Sequence, residues 1–560
     1  MGRRNKLDDL RGNHSELENN FIDELIAGNV DRRTFLQRGA VIGMSATGMA
    51  AILGAAGDNA FANTLRHASA RSTPKGGTLK LAVQTPAAAI NPLLVADSGG
   101  LCMICQTGEF LTLDNPLTDT LQPMLATSWT PSKSGAVWTF KIRKGVKFHN
   151  GQPLTADDVV YTFQELANPK NASSALSVFT GVLSAGGVKK VDSHTVAFHL
   201  ESPNGNFPYL VSSDNYGSII VPKGTDYKTW GKTMVGTGAF MLHSYTTNQG
   251  ASFTANPNYW GGKPHLDGTQ FTFYASQQPQ ITALQGGTVD VLVQFTATGA
   301  QAILSHASQY NIINVKSSGH RELSMRCDQA PFNDPRVREA IALSLNRPQM
   351  VKALLLGYGT VGNDSPFASI FRSTNTSVPQ RTQDLAKAKA LLKAAGHSSG
   401  LSVQLDTEQY QEIPQLAQVI QQFASKIGVN IKLNVETQSN YYGKATFGNS
   451  DWLDGEMSLV DYGGRGVPNT FLESTLTSKG AWNAAHFKDP AYDKLVKQYV
   501  AAVDLSSQRK ISGNIERLLL KETPLIIPYF LNFPTASTKK VGGMIPTSLS
   551  QIFLAGAYKS

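Results

Sequence analysis

The stretch from Trp138 to Leu166, WTFKIRKGVKFHNGQPLTADDVVYTFQEL, constrains this chain most, because it fixes two kinds of secondary structure and the turn between them. Trp138, Phe140 and Ile142 alternate with Thr139, Lys141 and Arg143, and Val146 and Phe148 alternate with Lys147 and His149, the period of strands with one buried face. Asn150-Gly151 suits left-handed turn geometry and closes the expected hairpin. Beyond Pro153, Thr155 is placed to cap a helix with Asp158 three residues on, and Val159, Phe163 and Leu166 recur at helical spacing. The spacing predicts hairpin, turn and amphipathic helix in one segment.

A chain of 560 residues exceeds what one hydrophobic core organises, so at least two lobes are expected. A net charge of +9 is modest for that length, and without a basic stripe interleaved with aromatics it gives no reason to expect nucleic-acid binding. Three cysteines are too few for a disulfide scaffold. Cys102 and Cys105 form C-x-x-C, read as buried thiols or an incidental disulfide, and Cys327 as a core residue. The eleven histidines are dispersed, with His149 and His320 ordinary strand or loop residues, so no metal or cofactor is expected. G-x-S-x-G, P-loop and H-E-x-x-H motifs are absent from the sequence, and the S-x-x-K matches at Ser72, Ser507 and Ser537 fall in a leader, a polar helix and a terminal segment. No catalytic residue is assigned, and the chain is expected to be non-enzymatic.

Two strand-helix-strand units organise the remainder. Phe271 to Tyr274, Pro279 to Leu284 and Val289 to Val293 form one; Leu401 to Asp406, Pro414 to Ile427 and Val429 to Val435 form the other. Asp334 with Pro335 begins a helix whose stripe is Val337, Ile341 and Leu345. A strand is expected at Glu322 to Met325. Two such units in two halves argue for two α/β lobes.

LATSW at Leu125 to Trp129 and the stretch that follows, with MVGTGAFMLHSY at Met234, ANPNYWGGKPHLDG at Ala255, APFNDPRVREAIALSLNR at Ala330 and DLAKAKALLKAAGH at Asp384, resemble the family 5 solute-binding proteins of bacterial ABC importers, the peptide, nickel and opine group. The resemblance runs from about Gly76 to Phe533. It implies an α/β, two-lobed type II periplasmic-binding-protein fold, with a hairpin-rich insertion in the first lobe and two interlobe crossings, near Lys316 to Glu322 and Thr523 to Pro528. Expected boundaries are 63–110, 111–214 (the insertion) and 215–318 for the first lobe, 319–525 for the second, and 526–560 for the return. Ligand would sit between the lobes, whose closure would present the receptor to a permease and its ATPase subunits.

The N-terminus resembles a twin-arginine export signal. DRRTFLQ at Asp31 to Gln37 supplies Arg32 and Arg33, and a Gly- and Ala-rich run follows from Gly39 to Gly57. Cleavage is expected after Ala62, with Ala70 a second choice, making residues 1–62 the signal and the twin-arginine translocase a partner in export. No cysteine follows that run, so the expectation is a soluble periplasmic protein without a lipid anchor.

The segment Trp452 to Leu472, WLDGEMSLVDYGGRGVPNTFL, resembles the family's cleft-lining loop. In peptide-binding members an aspartate there pairs with the ligand's α-ammonium, and counting back from Pro468 and Phe471 puts Gly464 in its place, with Arg465 beside it and Asp461 three residues earlier. Asp461 is a candidate for the amine or a local turn residue, and Tyr462 either stacks on ligand or covers the loop. Arg465 suits a carboxylate or phosphate through forked hydrogen bonds. Arg326 is a candidate for orienting ligand or a hinge ion pair, and Thr85, at the end of the first strand, stands with it. Tyr441 and Tyr442 read as packing. A short peptide is the expected ligand, with an opine, oligosaccharide or anionic conjugate as alternatives; a sensory or chaperone role, or a hydrolase on the same scaffold, are rival classes.

Overall fold

The computed structural model describes residues 22, 49, 74–117, 120–297 and 299–560. Arg32, Arg33, Ala62 and Ala70, the expected export motif and cleavage positions, lie outside the described residues. One compact unit comprises Gly76–Pro116 with Leu121–Ser560, and the fold below is that of this unit. The other, Met1–Lys75 with Leu117–Thr120, falls almost wholly outside the described residues.

The chain enters on strand β1 (Thr78–Gln84) and helix α1 (Ser98–Thr107). An insertion then builds its own four-stranded antiparallel sheet from β2 (Ala126–Pro131), β3 (Val137–Ile142), β4 (Val188–Asp192) and β5 (Thr195–His199), in the order β2-β3-β5-β4, packed against helix α2 (Ala156–Leu166). Returning, the chain forms β6 (Phe240–Thr246), β7 (Gly250–Ala255), β8 (Gly268–Tyr274), α3 (Gln277–Gln285) and β9 (Val291–Leu292). The long β10 (Tyr310–Met325) leads to the second lobe, with α4 (Pro335–Ser344), β11 (Leu401–Glu408), α5 (Ile413–Ser425), β12 (Val429–Glu436), β13 (Met457–Tyr462), α6 (Pro490–Ala501) and α7 (Leu505–Glu522). Strand β14 (Tyr529–Thr538) brings the chain back.

One sheet runs through both lobes in the order β12-β11-β13-β10-β14-β9-β1-β8-β7-β6. Its middle is the antiparallel pair β10 and β14, which ladder from Tyr310↔Thr538 to Lys316↔Asn532, slip, and resume at His320↔Phe530. The slip gives the two lobes different ladders: below it β14 pairs with β9, and above it β10 pairs with β13. The strand expected at Glu322 to Met325 is thus the last quarter of a sixteen-residue strand.

Apolar burial divides about this pair. One core gathers the faces of β1, β6 to β8, α1 and the insertion, and a smaller one lies under α3 and β9. Others pack β11 to β13 on α4 and α5, and α6 on α7. Val467, from the loop after β13, belongs to the first lobe's core.

Local chemistry explains most elements. Thr155 and Asp158 form a reciprocal capping box at α2, and Val159, Phe163 and Leu166 are the buried stripe. Asp334 caps α4 with Pro335 in its first turn. The hairpin expected from Trp138 to His149 differs. Both edges of β3 are taken, by β2 and by β5, and Val146 to Phe148 contributes only an isolated bridge, Lys147↔Pro153, around a tight turn with Gly151 at φ 86°. Gly145, at φ 78°, ends the run that alternation alone would extend. The first strand-helix-strand unit also differs in adjacency, since β1 lies between β8 and β9, parallel to both. In the second unit β11 and β12 pair directly and in parallel over their full lengths.

Candidate functional site

Where β10 and β14 cross between lobes, a cavity of about 420 Å³ opens beside them. The first lobe contributes the end of β1, the start of α1 and the start of α3, with Gln84, Ser98, Ser276, Gln277 and Gln280 on the wall. The second contributes Arg321, Tyr410, Gln411, Asp461, Tyr462 and Gly463. Gly319, Leu531 and Phe533 form the floor on the crossing strands. The size lies in the usual range for a small-molecule pocket.

The centre of the second lobe's wall is a buried guanidinium. Arg321 and Asp461 face one another across the β10–β13 ladder and are ion-paired through Nη1. Nε and Nη2 of Arg321 donate to Glu412 Oε1 and Oε2 at 2.8 and 3.1 Å, a forked pair, and Nη2 also donates to Gln411 Oε1 at 2.8 Å. Arg321 is 1% exposed, Glu412 10% and Asp461 28%, so Asp461 is the carboxylate of this cluster turned most toward the cavity. Burial alone would lower the Arg321 pKa, but Asp461 and Glu412 raise it. Burial lifts the Asp461 pKa, and Arg321 offsets only part of that while Glu412 adds to it. Two carboxylates thus share one guanidinium, and of the two Asp461 is the one on the cavity wall.

Supporting residues hold this arrangement. Tyr529 Oη donates to Glu412 Oε1 at 3.1 Å. Tyr442 Oη donates to Glu408 Oε1 at 2.7 Å and accepts from the Asp461 amide at 3.1 Å, while Tyr441 is fully buried and donates to the Asp406 and Leu459 carbonyls. Both tyrosines therefore pack, as expected.

The five ligand candidates separate in space. Asp461 and Tyr462 reach the cavity together, with Tyr462 stacked on Trp482 at 5.9 Å between ring centroids. Thr85 does not line it: β1 ends at Gln84, whose side chain takes that place, and the Thr85 amide donates to Tyr274 O. Arg326 is turned from the cavity, forked on Asp328 at 2.8 and 2.9 Å and bonded to Asp454 O. Arg465 lies in a neighbouring pocket, because the glycines at 463 and 464 carry the chain past the cavity rim and Ser318 fixes the Arg465 backbone, accepting from its amide at 2.7 Å and donating to its carbonyl at 2.6 Å.

Arg321 and Glu412 were not singled out by sequence reasoning. The signal present was a charged residue within an otherwise strand-like run, GHRELSM at Gly319, and its partners lie far along the chain.

Cys102 and Cys105 are buried free thiols, donating to Ser550 O at 2.8 Å and to Ile552 O at 3.4 Å, and burial pushes the Cys105 pKa up to about 12. Among the described residues no cluster of three metal-ligating side chains occurs, and no helix is long and apolar enough to cross a membrane.

Similarity to known proteins accords with this geometry. The heme-binding protein A of Haemophilus influenzae is 25% identical over 456 residues, 75% of this chain and 81% of that protein. The dipeptide-binding protein of Escherichia coli is 26% identical over 441 residues, covering 72% and 80%. Among solved structures, HbpA2 from Haemophilus parasuis superposes with a TM-score of 0.76 at 23% identity, over 86% of this chain and all of that one, and shares the two-lobed fold. The pattern describing bacterial extracellular solute-binding proteins, family 5 Middle, matches residues 120–483, and the chain belongs to that family.

Proposed function

We propose that this protein is the extracytoplasmic receptor of an ABC importer, that it captures a short peptide between its lobes, and that it does so without chemical turnover. Asp461 carries this reading, because it is the carboxylate on the cavity wall, it shares Arg321 with Glu412 behind it, and the α-ammonium of a peptide is a further cation with which it can pair. Amides and hydroxyls of Gln84, Ser98, Gln277 and Gln280 across the cavity suit a peptide backbone. Several relatives carry peptide-binding names, among them the dipeptide-binding protein above. An opine or oligosaccharide ligand is the second reading, favoured by that amide-rich wall.

Closure would turn about the slip between Lys316 and His320, with ligand contacts from both walls favouring the closed form. The closed form would dock on a permease with its ATPase subunits. Export would proceed through the twin-arginine translocase, read by Arg32 and Arg33, to the periplasm. Calorimetric titration of the purified chain with di- to tetrapeptides tests the ligand class. Saturable binding that weakens about tenfold or more in Asp461→Asn supports the amine contact, and absence of binding by any peptide sinks it.

A further inference from the structure

We propose that Arg465 forms a second subsite, at the seam between the first lobe's 174–216 segment and the loop after β13, that binds an oxyanion, a carboxylate or phosphate. The buried arginines elsewhere in the described structure have charged or main-chain partners beyond their own loop: Arg321 pairs with Glu412 and Asp461, Arg347 and Arg381 with Asp364, and Arg338 with main-chain carbonyls. Arg465 is half-buried and differs from them. Its Nη1 donates to its own loop, at 3.0 Å to Gly464 O and 3.4 Å to Gly463 O, and no carboxylate among the described residues pairs with it. Burial lowers its pKa, opposed only by the nearby Tyr216 phenol. A half-buried cation without a counter-ion is costly unless something else supplies the charge.

The surroundings are built for that supply. Arg465 shares its pocket with Ser174, Ser177, Asn215, Tyr216 and Thr470, which offer hydroxyls and an amide. Ser174 Oγ is buried with no hydrogen-bond partner among the described residues. Asp214 also lines the pocket, its Oδ2 buried with no hydrogen-bond partner among the described residues; burial first and Asp114 second raise its pKa well above the carboxylate range, the direction that favours its neutral form. The free space is about 30 Å³, room for about two water-sized groups, so an oxyanion of either kind enters with two of its oxygens. Both walls are fixed: Ser318 locks the Arg465 backbone, Val467 is anchored in the first lobe's core, and Gly466 lies so close to Asp214 that an added Cβ would come within 1.8 Å of Oδ2. An anion there touches both lobes and favours their approach.

The oxyanion is either free or the ligand's own; only in the second case does the inference rest on the peptide reading. The test titrates the intact chain with inorganic phosphate against chloride at matched ionic strength, then with tri-alanine and tri-alanine amide, in wild type, Arg465→Gln and Arg465→Lys. A thermal midpoint raised by phosphate in wild type, abolished in Arg465→Gln and partly kept in Arg465→Lys, supports a free oxyanion. A preference for tri-alanine over its amide of about tenfold, lost in Arg465→Gln, supports the ligand's carboxylate. If phosphate acts through Arg465 while no peptide binds, the subsite stands and the peptide reading falls. If wild type shows neither effect, or Arg465→Gln matches wild type in both, the inference is overturned, and tri-alanine binding in the same experiment leaves the peptide reading intact.

Discussion

Arg321 and Asp461 are cross-strand neighbours on the ladder that joins the crossing strand to the second lobe, and their ion pair forms the wall of the interlobe cavity. The pair holds the sheet together whatever the cavity binds. Replacing Arg321 by Met leaves Glu412 and Asp461 without their cation in a buried setting, and the expected destabilisation is about 3–5 kcal/mol. Urea unfolding of Arg321→Met against wild type measures it.

Stability should fall as pH rises from 4.5 toward 7. Glu109 is 3% exposed and takes hydrogen bonds from Tyr259, Trp260 and Thr237, yet burial pushes its pKa up from 4.5 to about 7, and burial does the same for Glu516. A carboxyl whose folded pKa is raised binds its proton more tightly in the native state. Its contribution is therefore complete below 4.5 and is lost as pH climbs through about 7. For Glu109 that loss is bounded at about 3 kcal/mol. Denaturant unfolding at several pH values should show the decline, and Glu109→Gln should reduce it, leaving the part due to Glu516.

The capping box at α2 gives a milder prediction. Thr155→Ala removes the side-chain acceptor and should cost about 1 kcal/mol. Asp158→Ala should cost more, because Asp158 also accepts from the Lys223 amide at 2.9 Å and is buried. Thermal unfolding of the two variants side by side checks the order.

The insertion is fastened to the second lobe through main chain. Gly205 donates to Val500 O at 2.7 Å, and an added Cβ would lie 1.7 Å from Ala502 O, a backbone atom no rotamer can move. Beside it Asn206 bonds Asn469 at 2.9 Å and Gln508 at 3.0 Å. Gly205→Ala should destabilise the chain by about 1–3 kcal/mol. Solution scattering of that variant should show lobes farther apart than in wild type.

What could be read from the sequence was what is local. The box at Thr155 and Asp158, the stripe Val337 and Ile341, and the parallel unit β11-α5-β12 each follow from residues within a few turns of one another. Strand partners are not local. Val146 and Phe148 alternate as well as Trp138 and Phe140 do, but the edges of β3 were claimed by residues before and after that run. The site divides the same way. Asp461 and Tyr462 were legible from the segment they occupy, whereas Arg321 meets Glu412 ninety-one residues on and Asp461 one hundred and forty on, a pairing only the folded sheet creates. Arg465 stands four residues from Asp461 and was expected on the same wall; two glycines and the grip of Ser318 turn it into the seam instead.

If Arg32 and Arg33 address the chain for export, replacing both by Lys should leave it in the cytoplasm with the rest of the sequence intact. Fractionation of cells expressing the two forms decides this, since equal periplasmic amounts would exclude the twin-arginine route.

If the cavity beside Arg321 and Asp461 holds a short peptide, the protein should carry that peptide out of the cell that makes it. The most direct measurement is to purify the exported protein under native conditions, release its bound solute by denaturation and identify it by mass spectrometry. The expected result is a pool of short peptides of narrow length and mixed sequence, depleted in Asp461→Asn. A single non-peptide compound, or an empty protein that converts candidate substrates, would contradict it.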